Sequence, residues 1–461
     1  MLQVIKTKTM KKILFIILIF YSSNILSQKI SVDNQGNINM IVSLNESLVF
    51  ENGETINLLA PYPFEYYYEN VLFQISRNGE LNWYVHFAPS GYYGECFQDI
   101  DILTDNNDNI YFLATFYGSI EFNEITINSE DGNTCIIKFD QFGNLLWLKQ
   151  STGDATFYNA NLSLDSLNNI YFTGLYYYDY TFGGNDTLTS PYYDEKIFIA
   201  KFDKDGNNNW LKNVTGNAYV AGISTDNDGK SYIIGAYNEN IYFGNLSILS
   251  SNSWDIFIAS CDTNGDPISL ISIGGDENDT GRRITTNGNS VSFSVSTASN
   301  LIYINDTVQI YPNTPPSYYM SSIVLNYNIG LDSLNWFFQM DSVFHQDHQI
   351  EFDNEGNTIF QGGVYIDQQR VNSYNINGTG DLNCLHRIFC NTPDNDLDVI
   401  DNISYISGSF YNSIDFGNNN IYYGDNRNYY IAKFDINCNL IWVYIIGNHY
   451  TSIDEISYFN P

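Results

Sequence analysis

The side chains of this chain that could do chemistry are mostly acids set in turns. Asp203-Lys-Asp205-Gly206 and Asp226-Asn-Asp228-Gly229 have the look of calcium loops. An EF-hand loop, however, needs oxygen ligands at positions 1, 3 and 5, a glycine at 6 and a bidentate acid at 12. Here the glycine comes too early after the second acid, and no glutamate follows at the needed distance. These segments therefore read as hairpin turns, in which Asp, Asn and Gly tolerate positive φ cheaply. Calcium bound weakly by several surface carboxylates is the one cofactor left open, since a strongly negative shell attracts divalent ions. The five histidines (His86, His345, His348, His386 and His449) are scattered. His345 and His348 would face opposite sides of a strand, which argues against a shared metal. No His-Glu-x-x-His, Gly-x-Ser-x-Gly or P-loop pattern occurs, so no catalytic, cofactor-binding or metal-ligating residue is assigned.

Aromatic residues are the second candidate. The chain holds 38 Tyr and 30 Phe but only 15% charged residues, a balance that favours strands over helices. Tyr111-Phe112 and Tyr171-Phe172 sit at strand positions and are expected in the core. The clusters Tyr66-Tyr67-Tyr68, Tyr92-Tyr93, Tyr176-Tyr177-Tyr178, Tyr192-Tyr193 and Tyr318-Tyr319 cannot all be core. Loop aromatics flanked by Asn and Asp suit sugar or peptide binding, where a flat ring makes contact and a polar rim orients.

The elements that must position these groups repeat. One phrase, an apolar strand, an Asp/Asn/Gly turn and a strand of the form Asn-Ile-Tyr-Phe, recurs with anchors near residues 38, 110, 170, 231, 290, 358 and 403. A second follows it: Ile136-Ile-Lys-Phe-Asp-Gln-Phe-Gly-Asn-Leu-Leu-Trp147, Ile199–Trp210 and Ile431–Trp442, with weaker copies at Leu72–Trp83, Ile258–Gly265 and Val324–Trp336. The copy around Leu385–Pro393 has lost its Trp. A third phrase, Phe-Gly-Asn, lies between the two, as in Phe243-Gly-Asn245 and Phe416-Gly-Asn418. Each unit is thus two hairpins, with a period close to 60 residues. Units that cannot bury their apolar residues alone must pack on their neighbours. The fold expected is all-β: a seven-bladed β-propeller of four-stranded antiparallel blades. Two closures of the ring are open at this point. The tail after Trp442 could add a strand beside Lys29–Val32, or the chain could stop short of a further unit.

Residues 1–27 read as a signal peptide, with Lys11 and Lys12 before the apolar run Ile13–Phe20, and residues 28–461 as the propeller. Secretion, to the cell surface or periplasm and without membrane insertion after cleavage, is the expected localisation. A net charge of −33 argues against nucleic-acid and anionic-membrane partners. Among the six cysteines, Cys135, Cys261 and Cys384 replace apolar residues of the repeat and read as small buried hydrophobes. Cys390 and Cys438, near turns of adjacent repeats, are a candidate pair.

Phe198-Ile-Ala-Lys-Phe-Asp203, Phe257-Ile-Ala259 and Gly274-Gly-Asp-Glu-Asn-Asp279 resemble the SBBP family, the β-propeller repeat proteins of exported bacterial origin, over nearly all of residues 28–461. The Asn/Ile/Tyr-rich style is similar to Bacteroidota sequences. The resemblance implies a fold and an exported location, and no established chemistry. The function expected is a non-catalytic binding or scaffold module for a cell-surface glycan or protein partner. The alternative is an extracytoplasmic propeller enzyme, a polysaccharide hydrolase or lyase or a degenerate quinoprotein, and a set of acids converging on the central channel would favour it.

Overall fold

The computed structural model describes residues 29–451 except 45, 51, 60–67, 90–96, 184–185, 192–194, 250–252, 305–307, 313–319, 341–344, 365–369, 393–394, 419 and 448. Among the described residues there is no helix, and so none long and apolar enough to cross a membrane. The leader and most of the tail lie outside them.

The turn acids explain the hairpins. Asp33 Oδ1 accepts the backbone N–H groups of Gln35 at 2.9 Å and Asn37 at 2.8 Å, and Asn37 Nδ2 donates to Asp33 Oδ2 at 2.8 Å. The N–H of Gly36 (φ +80°) donates back to the Asp33 carbonyl at 3.0 Å. Asp105, Asp140, Asp165, Asp203, Asp226, Asp262, Asp353 and Asp435 cap their turns in the same way. A side chain that satisfies two turn N–H groups holds the chain reversal in register. The carboxylates of Asp203 and Asp226 are thus engaged by their own turns.

Each pair of hairpins makes a four-stranded antiparallel unit, and the units span 29–89, 97–150, 152–214, 218–274, 279–339, 345–390 and 395–446. Their first, inner strands are Lys29–Val32, Phe97–Thr104, Thr152–Leu164, Ala218–Thr225, Asp279–Thr286, His345–Phe352 and Asn395–Ile400. Each inner strand packs beside the next, and the last packs beside the first. Second and third strands such as Ile38–Leu44, Glu69–Ile75 and Ser231–Tyr237 are buried along their whole length because both faces meet a neighbouring unit, while the longer second strand Ile110–Phe122 is exposed at its far end. Every seam between units, including the one joining the seventh to the first, carries its own apolar core. Tyr111, Phe112, Tyr171 and Phe172 lie in these cores, as expected. The result is a propeller-like β-repeat fold.

The repeat's signature residues cement the seams. Lys138 Nζ donates to Tyr111 Oη at 2.6 Å and to the Lys204 carbonyl of the next unit at 3.2 Å. Lys201 reaches the Thr263 carbonyl at 3.1 Å and lies over the Tyr171 ring. The excursions between second and third strands add to the cement by pairing with the outer strand of the preceding unit: Ala88 with Glu121, Ile273 with Ile304, and Phe389 with Asp415. The sheets of units 1 and 2, and of units 6 and 7, therefore run together into two curled sheets. This covers edges that would otherwise be open to pairing with another chain.

The tail segment His449–Thr451 pairs with Tyr422–Gly424 of its own unit, and residues 452–461, the rest of the tail that could have run beside Lys29–Val32, lie outside the described residues. Among the described residues the first and seventh units meet through side chains and one backbone bond, Gly447 N–H to the Val49 carbonyl at 2.8 Å. The cysteine pairing expected from the sequence is corrected. The disulfide joins Cys384 to Cys438, while Cys390 is a buried thiol like Cys135 and Cys261. Strand period alone could not pair the cysteines, because the partners belong to different units.

Candidate functional site

The inner strands meet around a central channel. The inward edge of each has no ladder partner, so its N–H groups need other acceptors. Side chains of the neighbouring inner strand supply them. Leu162 N–H donates to Asp101 Oδ2 at 2.6 Å, Ile30 N–H to Asp396 Oδ2 at 2.8 Å and Val32 N–H to Asp398 Oδ2 at 2.6 Å. At other seams a hydroxyl serves instead: Thr225 N–H donates to Ser163 Oγ at 2.8 Å and Thr286 N–H to Ser224 Oγ at 3.1 Å. Register shifts in five of the inner strands fall near this level, and a bulge of this kind re-aims side chains.

Counting three residues back from each strand end gives one ring: Lys29, Asp101, Asn161, Gly222, Arg283, Gln349 and, by its bond to Ile30, Asp396. Lys29 pairs with Asp396 at 3.1 Å. Arg283 sends its guanidinium past Gly222, donating to Asn161 Oδ1 at 2.8 Å, the Ala221 carbonyl at 3.3 Å and the His348 carbonyl at 3.1 Å. Beside this ring stand Glu351 and Asp398. Burial pushes Asp101 up to about 6, Lys29 opposing and Asp396 assisting. Asp398 also rises to about 6 through burial, against its bond from Val32 and with Asp396 assisting. Glu351 is exposed to water and yet walled in by protein. That enclosure, with Asp398, Asp396 and Asp101 nearby, raises it to about 8. Acids thus do converge on the channel, which motif reading missed. The signal was there in the repeat alignment, as a polar residue at one position of nearly every inner strand.

Chemically the set is lopsided. Asp101, Asp396 and Asp398 are held by backbone N–H groups, while Glu351 accepts a bond from Thr285 Oγ1 at 3.4 Å and has its carboxyl pushed up by enclosure and by the neighbouring acids. Among the described residues, no three His, Cys, Asp or Glu side chains are grouped to hold a metal ion. His86 bonds Glu69 at 3.1 Å, buried His348 lies against the Phe360 ring, and His386 is lowered to about 4 by burial. The side chains of His345 and His449 lie outside those described.

The tyrosine clusters divide. Tyr176 is buried, Tyr177 donates to Glu195 at 2.6 Å and Tyr178 is exposed. Tyr66, Tyr67, Tyr92, Tyr93, Tyr192, Tyr193, Tyr318 and Tyr319 lie outside the described residues. Among the described residues Tyr84, Tyr117, Tyr178, Tyr242, Tyr303, Tyr311 and Tyr411 are exposed; Tyr84 stands on the outer strand Leu81–Pro89, and the other six stand on the far ends of second strands or on the excursions that follow them. In an antiparallel meander these excursions share one end with the links between units, opposite the tight Asp turns.

No family model matches the chain. It is 26% identical over 141 residues, 28% of its length, to an uncharacterized WD repeat-containing protein of Acanthamoeba polyphaga mimivirus, and spans about 10% of that protein. Two solved structures are similar at low level. One is a protein of unknown function from Bacteroides caccae, with TM-score 0.35 and 10% identity over 68% of this chain and 89% of that one. The other is a putative 6-phosphogluconolactonase from Bacteroides uniformis, with TM-score 0.38 and 13% identity over 91% and 99%.

Proposed function

We propose that this chain is a seven-bladed β-propeller of the SBBP type, exported and non-catalytic, that binds a cell-surface glycan or surface protein through its excursion end. One observation carries the reading: six of the seven tyrosines exposed among the described residues stand on the far ends of second strands or on the excursions after them, whereas the repeat's own Asp, Tyr, Lys and Trp side chains are spent on turns and seams. Rings presented by rigidly packed units bind at little entropic cost. The test is retention of the chain lacking residues 1–27 on insoluble polysaccharides and cell-surface fractions, with calcium and then EDTA. A Tyr178→Ala/Tyr242→Ala/Tyr411→Ala variant should lose at least about tenfold in retention. Unchanged retention by that variant, or none by the parent, would sink the proposal. Release by EDTA would add calcium to it.

Glu351 supports a second reading, a channel hydrolase in which its protonated carboxyl acts as general acid. Turnover of a glycoside panel that vanishes in Glu351→Gln, with retention intact, would favour that reading over the first.

A further inference from the structure

Four seams are locked by a tryptophan of one unit lying over the turn glycine of the next. A Cβ added to Gly143 would sit 2.7 Å from the Trp83 ring, and at Gly206, Gly265 and Gly380 the matching distances to Trp147, Trp210 and Trp336 are 3.0, 3.1 and 3.0 Å. At three of these seams the indole N–H also donates to the carbonyl after the turn Asp: Trp83 to Gln141 at 3.0 Å, Trp147 to Lys204 at 3.2 Å and Trp210 to Thr263 at 3.0 Å.

Neither partner is present at the seam of units 4 and 5, where Ser269 and Leu331 hold the two places, nor at the seam of units 6 and 7, where both places are cysteines. Cys384 follows Gly380 by four residues, the position Trp147 holds after Gly143, and Cys438 follows Asp435 by three, the position of Gly143 after Asp140. Cys438 keeps the glycine's backbone, with φ +60°. These two are the pair that is bonded, with Cα atoms 5.9 Å apart. The Ile436 carbonyl, equivalent to the indole's acceptors, takes Asn375 Nδ2 at 2.9 Å instead. Beside the bond lies a small cavity of about 10 Å³ lined by Ile359, Asn375, His386, Phe434 and Cys438 among others, so packing there leaves a void where the indole would lie.

We infer that Cys384–Cys438 is a redox-conditional clasp: a covalent bond stands in for the indole–glycine lock at this one seam, and so tightens it only in oxidising surroundings. A dithiol releases it in two exchanges. One thiolate attacks a cysteine sulfur and expels the other as thiolate; the second thiol then closes the reductant's own disulfide. Both protein sulfurs end as thiols and the dithiol is oxidised by two electrons. A disulfide persists outside reducing compartments and is lost within them. Its release should loosen the seam locally, because the remaining seams do not depend on sulfur.

Hydrogen exchange of the whole chain with and without dithiothreitol tests this, with thiol titration to confirm two further thiols per chain. Exchange should quicken at least about tenfold in Leu382–Cys390 and in the turn before Leu440–Ile446, with Thr152–Val214 unchanged. Full reduction without that local change, or with a change spread evenly over the chain, overturns the inference. Cys384→Trp/Cys438→Gly, which rebuilds the lock found at four seams, should exchange alike with and without reductant. Cys384→Ala/Cys438→Ala should behave as the reduced parent.

Discussion

Arg283 and Asn161, 122 residues apart and two units removed from each other, meet at 2.8 Å across the position of Gly222. A Cβ on Gly222 would lie 3.0 Å from Asn161 Oδ1 and 3.5 Å from both Ile234 and Ile284. The glycine leaves room for a side chain of unit 5 that bonds units 3, 4 and 6 at the channel. Gly222→Ala is expected to cost about 1–3 kcal/mol in urea unfolding, as overpacking does. Arg283→Met, which strips the donor from buried acceptors, should cost a similar amount. If the glycine serves that bond, the double variant loses no more than Arg283→Met alone; simple additivity would refute the coupling.

At the seam of units 2 and 3, Lys138 Nζ stands 3.5 Å from Asp105 Oδ2, with both side chains nearly or wholly buried. Burial lowers the Lys138 pKa and Asp105 opposes that. Removing one member strands the other, so Lys138→Met should cost about 3–5 kcal/mol. Asp105→Asn keeps the turn cap, as Asn377 does in its own turn, while removing the charge and the Oδ2 acceptor of Tyr111 Oη and Asn109 Nδ2. The pair should cost clearly less than the sum of the single variants in a double-mutant cycle. Additive losses would show that the ion pair is incidental.

Gly206 has φ +80° and faces the Trp147 ring, whereas Gly183 has φ +86° and open space around its Cβ position. Gly183→Ala therefore carries only the backbone penalty, on the order of 1 kcal/mol. Gly206→Ala carries the same penalty and also displaces the indole, so its denaturation midpoint should fall further. Equal midpoints would mean that Trp147 contributes little to the seam.

The channel acids set a pH dependence. Asp101 and Asp398 at about 6 and Glu351 at about 8 lie above their unfolded values near 4. Over that window the folded chain binds more protons than the unfolded chain, so these groups favour folding at low pH and their contribution is lost as pH rises from about 4 to 8. Burial raises Asp203 and Asp435 too, but hydrogen bonds from their own turns outweigh it and hold them below the usual range; their opposite effect falls at lower pH. Melting temperature should decline between pH 5 and 9 at fixed salt, and Glu351→Gln should flatten the upper part of the decline. A rise over that range would contradict the assignment.

Much of the architecture could be read from residue order. Asp-x-x-Gly-Asn turns are local devices, since Asp33 caps N–H groups within four residues of itself, and a turn spelled the same way in unit after unit announces its hairpins wherever it stands. Burial of Tyr111 and Tyr171 followed from strand period in the same local way. What closes the ring, which cysteine meets Cys438, and that Asp101, Glu351, Asp396 and Asp398 share one channel were decided only by tertiary structure. Those relations join residues from separate units, and each depends on where the seams bring two surfaces together. Local propensity carries no information about that, because burial, bond partners and pKa arise only once the neighbouring unit is in place.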